Sequence, residues 1–513
     1  MIQNMRSSFL LIILFLIGIL WSSCRKDLEY AASAGNLEFS KDTVFLDTVF
    51  TGISSSTRTL KVYNRTRDDI EIPSIRLAQG QNSSYRLNVD GEAGKEFDNI
   101  PLLARDSLFI FIESTFELGE TAPSEFLNTE AIQFDTGANL QEVQLVTLVK
   151  DAVFLFPRTT ANGTKETVDL GLDPDGNQIT IEGFYLDDQQ LVFTDEKPYV
   201  VYGYAAVPEE RQLRMEAGTR VFFHKDSGIL VGSGATIQIN GQLSDNQELM
   251  ENEVIFEGDR LESALAEVPG QWGAVWIASG SVNNTIDHLT IRNATTGILV
   301  EGDGLLETPT LQLRNTQILN SASNNLWARS AYIQAENVVL GGAGNSALYC
   351  NLGGTYSFTH CTIANFWQNG FRAGAALEID NFNASESADL RTADFTNCII
   401  DGNTFLELSL RTNGTNDFNY SFTNCMIKFR DSGNQFENDP LYDFDNRALY
   451  SEILLNEVPN FFDASGADFR IAEFSPARDR ADFEGAAQVP LDLSGNDRTG
   501  SPDIGAYEVV IEN

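Results

Sequence analysis

One short pattern recurs six times in the second half of the chain, and it limits the possible folds more than any other feature. An apolar residue and a spacer are followed by Asn or His, two further residues, and then Ile or Leu. It reads Ile286-Asp287-His288-Leu289-Thr290-Ile291, then Leu313 to Asn315 and Ile318, then Ala335 to Asn337 and Leu340. The later copies run from Phe358 through His360 to Ile363, from Phe395 through Asn397 to Ile400, and from Phe422 through Asn424 to Ile427. The anchors are separated by 27, 22, 23, 37 and 27 residues. Such intervals suit single coils of a parallel β-helix, with one insertion between 360 and 397. A single coil cannot bury its apolar face, so the copies must stack on one another. Asn tolerates the left-handed conformation of a tight bend. Its amide can bond to the next anchor, so the repeat predicts an interior ladder in which His288 and His360 are substitutes rather than catalytic groups. Cys361, Cys398 and Cys425 each follow an anchor, and strand parity turns them inward as small buried thiols. Neighbouring coils lie about 4.8 Å apart, so a Cys361–Cys398 or Cys398–Cys425 disulfide stays open, as does the state of Cys350.

Ahead of the repeats, residues 38–150 read as about seven short strands with alternating apolar positions and no helical period, for example Thr59 to Asn64 and Ser107 to Ile112. Asp90-Gly91 and Gly80 punctuate the joins. The pattern predicts an Ig-like β-sandwich. It resembles the small Ig-like modules that precede larger domains on bacterial surface proteins, and a spacer role is expected. Residues 151–197 read as a connector. Within it, Asp173-Pro174-Asp175-Gly176-Asn177 is superficially similar to a calcium loop, but Gly176 falls at the fourth position and Phe184 at the twelfth. The EF-hand spacing needs Gly at the sixth and a carboxylate at the twelfth, so a Pro-Asp-Gly turn explains the stretch better.

Residues 1–23 read as a signal peptide. Arg6 is followed by the uncharged run FLLIILFLIGILW at 9–21, shorter than the roughly 20 residues needed to span a bilayer. Ser22-Ser23-Cys24 resembles the lipobox of bacterial lipoproteins, which implies lipidation at Cys24 and a tether over 24–37. Trp21 stands where that motif usually has Leu. Arg25, rather than Asp, follows the cysteine, and Lys26-Asp27-Leu28-Glu29 is similar to charged export tags, so an outer-membrane lipoprotein at the cell surface is expected, with a periplasm-facing one as the alternative. A net charge of −39 repels phosphate backbones and anionic headgroups. Nucleic acid is therefore excluded as a partner, and the lipid anchor is the only expected membrane contact. The carboxylates leave Ca2+ open, with no other cofactor expected.

Beyond Pro198, Gly218-Thr219-Arg220-Val221-Phe222-Phe223, Gly232-Ser233-Gly234-Ala235-Thr236-Ile237 and residues 270–277 (GQWGAVWI) resemble right-handed β-helix proteins of the pectate-lyase-like superfamily. Ser475-Pro476-Ala477, residues 492–498 (DLSGNDR) and 503–508 (DIGAYE) resemble the closing segment of choice-of-anchor β-helix surface proteins. Arg480-Ala481 departs from that family's usual small residue and Gly. The resemblance implies an all-β chain with a right-handed parallel β-helix over 198–440 and a closing segment over 441–513. It does not imply a chemistry.

The requirements of β-helix enzymes can be compared with the residues. Lyases need a Lys or Arg base beside a cation. After Lys225 the only lysine is Lys428, and Arg292, Arg314, Arg329, Arg372 and Arg391 show no calcium-plus-base cluster in the sequence. Beyond residue 198 there is no Asp-Asp pair and no Gly-His-Gly. Two acids from different coils would still suit a glycosidase. The expected function is a non-catalytic, lipid-anchored surface protein that binds or scaffolds extended glycans, with a polysaccharide lyase or glycoside hydrolase as the alternative. Trp327, Trp367 and Tyr349 are candidate sugar platforms that would also suit core or coil-edge positions, and Arg372, beside Gly370 and Gly374, is a candidate ligand contact. Carboxylates converging with Arg in a groove would favour an enzyme, and a flat aromatic and polar ladder would favour binding.

Overall fold

The computed structural model describes residues 30–117, 125–173, 175–304 and 307–511. The signal peptide, the lipidation position Cys24 and the first residues of the tether lie outside the described residues. The chain forms two compact units, residues 1–150 and 151–513. No helix among the described residues is long and apolar enough to cross a membrane.

The first unit is an Ig-like β-sandwich. One sheet pairs Ile70–Leu77, Glu125–Phe134, Gln141–Lys150 and Thr43–Phe50, and the other centres on Arg58–Tyr63, Ser107–Ser114 and Tyr85–Val89. Alternation does the sorting: in Ser107–Ser114, Leu108, Ile110 and Ile112 are buried while Phe109 and Phe111 are exposed. The inward set meets Val44, Ile72, Phe134 and Leu145 in one core.

The second unit is a right-handed parallel β-helix. A 19-stranded sheet supplies two walls of the coil and a ten-stranded sheet the third. All six anchors have positive φ, from 45° at Asn315 to 58° at Asn397, so each bends the chain from one wall into the next. The apolar residue two places before each anchor points inward, and Ile286, Leu313, Ala335, Phe358, Phe395, Phe422 and Tyr450 pair in register as one buried row. Phe358, Phe395, Phe422 and Tyr450 stack, with successive centroids 5.2, 5.0 and 5.5 Å apart and planes within 13°. Cys361, Cys398 and Cys425 lie inward in the same core, and with Cys350 they are buried free thiols.

The structure changes two expectations. Residues 151–197 do more than connect: Val153–Leu155 and Val192–Phe193 join the long sheet, and Leu155, Phe184, Leu186 and Phe193 plug the first end of the coil. The anchors do form a chain of side chains, but outside the coil wall and beneath the closing segment. Asn337 Nδ2 donates to Asn315 Oδ1 (3.0 Å) and to the carbonyl of Leu491 (2.8 Å), Asn397 Nδ2 donates to the carbonyl of Asp482 (3.0 Å), and Asn424 Nδ2 donates to that of Arg480 (2.9 Å). The cause is the positive φ of the anchors. The left-handed bend at each anchor interrupts the alternation, so the residues two before and one after it both turn inward while the anchor itself turns out.

The closing segment covers what would otherwise be an exposed apolar wall. Phe469, Leu493 and Ala506 pack on Leu319, Val339 and Ala364, while Ile471, Ala477 and Ile504 pack on Ile399 and Met426. At the second end of the coil, Tyr442 closes the last strand of the ten-stranded sheet, its hydroxyl accepting from the amide of Leu410 (2.7 Å). This occupies part of an edge that would otherwise pair with another chain.

Candidate functional site

Over its later coils the ten-stranded sheet presents a face whose outward row, Leu299, Trp327, Tyr349 and Glu378, is half-buried. Inward Ile298, Leu326, Leu348 and Leu377 fill the core, so the next residue on each strand must face out. Leu230, Trp276, Leu299, Trp327, Tyr349 and Glu378 form one outward row in register. Two positions along, Glu301 pairs with Arg329, Arg329 with Asn351, and Asp380 with Arg411. The head of the face is covered by the hairpin of Thr167–Leu172 and Gln178–Tyr185, whose Val168, Leu170 and Ile181 cluster with Ala206, Leu230 and Trp276.

From Leu299 onward, then, a row holding two aromatic rings, Trp327 and Tyr349, runs beside a charged one. The half-buried rings of Trp327 and Tyr349 are nearly parallel, with centroids 6.2 Å apart. Trp276 Nε1 donates to Glu301 (2.9 Å), whereas Trp327 Nε1 is buried without a hydrogen-bond partner. Asp380 is fully engaged. One oxygen accepts from Asn351 Nδ2 (2.7 Å) and the amide of Leu352 (3.0 Å), the other from the Tyr349 hydroxyl (2.8 Å) and Arg411 (3.0 Å). That uses about all four lone-pair directions of a carboxylate. Glu378 accepts from Ser346 Oγ (2.8 Å), the amide of Ala375 (3.1 Å) and Arg411 (3.3 Å). Burial first, and then the Asp380 carboxylate, push the Tyr349 phenol up, so it stays neutral and donates.

Beside this row, Glu301, Arg329, Ser330, Leu352 and Glu386 line a hollow of about 600 Å3. Arg329 lies 2.5 Å from Glu386 and 3.8 Å from Glu301. Carboxylates and arginines from different coils therefore converge twice, around Arg411 and around Arg329.

Of the residues singled out in the sequence, Trp327 and Tyr349 are brought together and Trp367 and Arg372 are not. The lengthened coil between 360 and 397 places Trp367 away from this face, outside the coil core and packed beside Gly344, at 7% exposure. Arg372 is buried as well. Its guanidinium donates to both oxygens of the fully buried Glu407 (2.7 and 2.8 Å) and to the carbonyl of Asn365 (2.6 Å). A cation so committed fastens the insertion to the next coil and is closed to a ligand. Trp276, Glu301, Glu378, Asp380 and Arg411 were not singled out, because their partnership depends on coil register.

A second polar cluster fastens the closing segment. Arg498, with no exposed side-chain surface, donates to Asn337 Oδ1 (2.8 Å), Glu508 (2.9 Å) and the carbonyls of Gly505 (3.2 Å) and Ala506 (3.1 Å), and lies 2.6 Å from His360 Nδ1. Burial and the nearby Arg498 charge lower His360 to about 2, so it is neutral. Burial, with Asp503 adding to it, pushes Glu508 up to about 8. A carboxyl raised in this way holds its proton better in the folded state. Its stabilising contribution is whole below the ordinary Glu value of about 4.3 and disappears as pH rises to about 8. Melting temperature should fall between pH 5 and 8.5 in the wild type and fall less in Glu508→Gln. Parallel curves for the two proteins would disprove this origin. A cavity of about 1040 Å3 lies between the coil wall at His288, Asn315 and Gln317 and the closing segment at Leu493, Tyr507 and Glu508. No cluster of three or more His, Cys, Asp or Glu able to hold a metal ion occurs among the described residues.

No protein-family model matches the chain, and no curated protein matches it. Among solved structures, the catalytic domain of a GH87 alpha-1,3-glucanase in complex with tetrasaccharides aligns with 74% of this chain and 81% of its own, at 9% identity and a TM-score of 0.18. PapD-like domain 7 of human CEP192 aligns with 25% of this chain and 94% of its own, at 11% identity and a TM-score of 0.16. The E. coli chaperone DraB aligns over 24% of this chain and 58% of its own, at 18% identity and a TM-score of 0.16. At these scores the architecture rests on the strand pairing described above.

Proposed function

We propose that the chain binds extended glycans on the outward face of the ten-stranded sheet, as a lipid-anchored protein of the cell surface. The observation that carries the reading is the in-register row of Leu299, Trp327 and Tyr349 beside Glu301, Arg329, Asp380 and Arg411. Repeating rungs spaced by about 4.8 Å offer a polymer a line of apolar surface with hydrogen-bonding groups along one side. That combination suits sugars, which have apolar ring faces and hydroxyl edges. The saturation of Asp380 supports binding over catalysis, since a general acid or base needs a free lone pair directed at substrate.

Affinity electrophoresis in gels cast with individual polysaccharides tests the reading. Trp327→Ala combined with Tyr349→Ala is expected to weaken retention by at least about tenfold, in line with the cost of losing two central aromatic contacts. Unchanged retention of the double variant would remove this face from the function. Cleavage is the second reading, favoured by the Glu301–Arg329–Glu386 convergence in the hollow. New reducing ends or unsaturated products from any polymer, with or without calcium, would establish it.

The anchor reading is supported by the apolar run at 9–21 and Ser22-Ser23-Cys24. Cys24→Ser in the full chain is expected to move the protein from the membrane to the soluble fraction. A wild type already found there would disprove the anchor.

A further inference from the structure

We infer that the glycan taken by this face carries no acidic groups: the ligand class is a neutral or amino-sugar polymer, and uronates and sulfated glycans are excluded. The inference rests on the glycan reading above and narrows it by charge.

The outward rows carry two cations, Arg329 and Arg411, among the described residues of the face. Each is bracketed by two carboxylates: Arg329 by Glu386 (2.5 Å) and Glu301 (3.8 Å), Arg411 by Asp380 (3.0 Å) and Glu378 (3.3 Å). With four acids against two guanidiniums, the face has a local excess of negative charge within a chain of net charge −39.

A uronate carboxylate or a sulfate is normally held by an arginine that offers two parallel N–H donors. Here one of the two cations already donates to both of its acids, and the other is in contact with its pair. An arriving anion would have to displace a carboxylate and remain beside it, a like-charge contact of the kind that interfaces use to reject wrong partners. Calcium bridging is the other route to a uronate, and no metal-ligating cluster exists among the described residues. An uncharged sugar meets no such barrier. Its hydroxyls can donate to the carboxylate oxygens of Glu301 and Glu386 without bringing a like charge beside them. Amino sugars would add attraction to the same acids.

Full-chain protein, wild type and Glu301→Gln/Glu386→Gln, is run through gels containing a neutral glucan, a neutral mannan, chitosan, polygalacturonate or dextran sulfate. Each is tested at low and high salt and with calcium or chelator. The expected result is wild-type retention by at least one uncharged or amino-sugar polymer and none by the acidic ones. In the double variant Arg329 is released, and polygalacturonate retention should appear or rise about tenfold, amplified by the many repeats of the polymer. Wild-type retention by polygalacturonate or dextran sulfate, with or without calcium, overturns the charge assignment and leaves glycan binding standing. Silence on every polymer overturns both. A double variant with no gain on polygalacturonate, but with neutral retention intact, overturns the role given to the two acids.

Discussion

Arg498→Ala is expected to detach the closing segment from the coil stack and destabilise the chain by about 3–5 kcal/mol, since several buried hydrogen bonds to a charged donor, worth roughly 1.5–3 kcal/mol each, are lost together. Three effects act together. Glu508 loses the guanidinium at 2.9 Å, the carbonyls of Gly505 and Ala506 lose their donor, and Asn337 and His360 lose the group that joins two anchors. The segment also covers Val339, Ile399 and Met426, all at 1% exposure or less, so its release would expose an apolar strip along the stack. Urea denaturation gives the magnitude. Limited proteolysis gives the location, with early cuts expected between residues 460 and 511. A variant within about 1 kcal/mol of wild type, with the segment still protected, would show that apolar packing alone holds it.

Phe395→Ala should cost about as much, roughly 3–5 kcal/mol, by another route. Phe395 is fully buried between Phe358 and Phe422, with centroids 5.2 and 5.0 Å away. Truncation removes two stacked contacts and leaves a cavity that the coil walls cannot collapse to fill, because hydrogen bonds to the neighbouring coils fix each strand. In a stack where a coil touches only its neighbours, one weak rung near the middle also weakens the coupling between the parts on either side. A second transition in the unfolding curve, or preferential cutting near 381–389, would accompany the loss. A change below about 1 kcal/mol, with a single transition, would mean that the aromatic row is not what couples these coils.

The outward face of the ten-stranded sheet was legible only in part. Trp327 and Tyr349 each lie 12 residues beyond an anchor, Asn315 and Asn337, and that shared offset is the signal that puts them on adjacent rungs. Arg372 lies 12 residues beyond His360 and misleads for the same reason. The lengthened coil resets the register, so Glu378 occupies that rung and Arg372 turns in to Glu407. Trp276 belongs to the row but precedes the repeats, so no anchor marks its place.

By itself, the sequence determined what depends on local conformation and periodicity. The Asn and His anchors specify left-handed bends, because few other residues tolerate positive φ, and all six adopt it. Alternation specifies that Phe358, Phe395 and Phe422 point inward, and so do the cysteines after the anchors. Tertiary structure alone decided the rest: that the anchor side chains are covered by the closing segment, that Arg498 reaches across 138 residues to His360, and that acids and arginines pair two to one across coils. Those contacts join residues whose separation in sequence is set by loops of variable length. No period in the chain encodes them, and only the stacked register brings them within hydrogen-bonding distance.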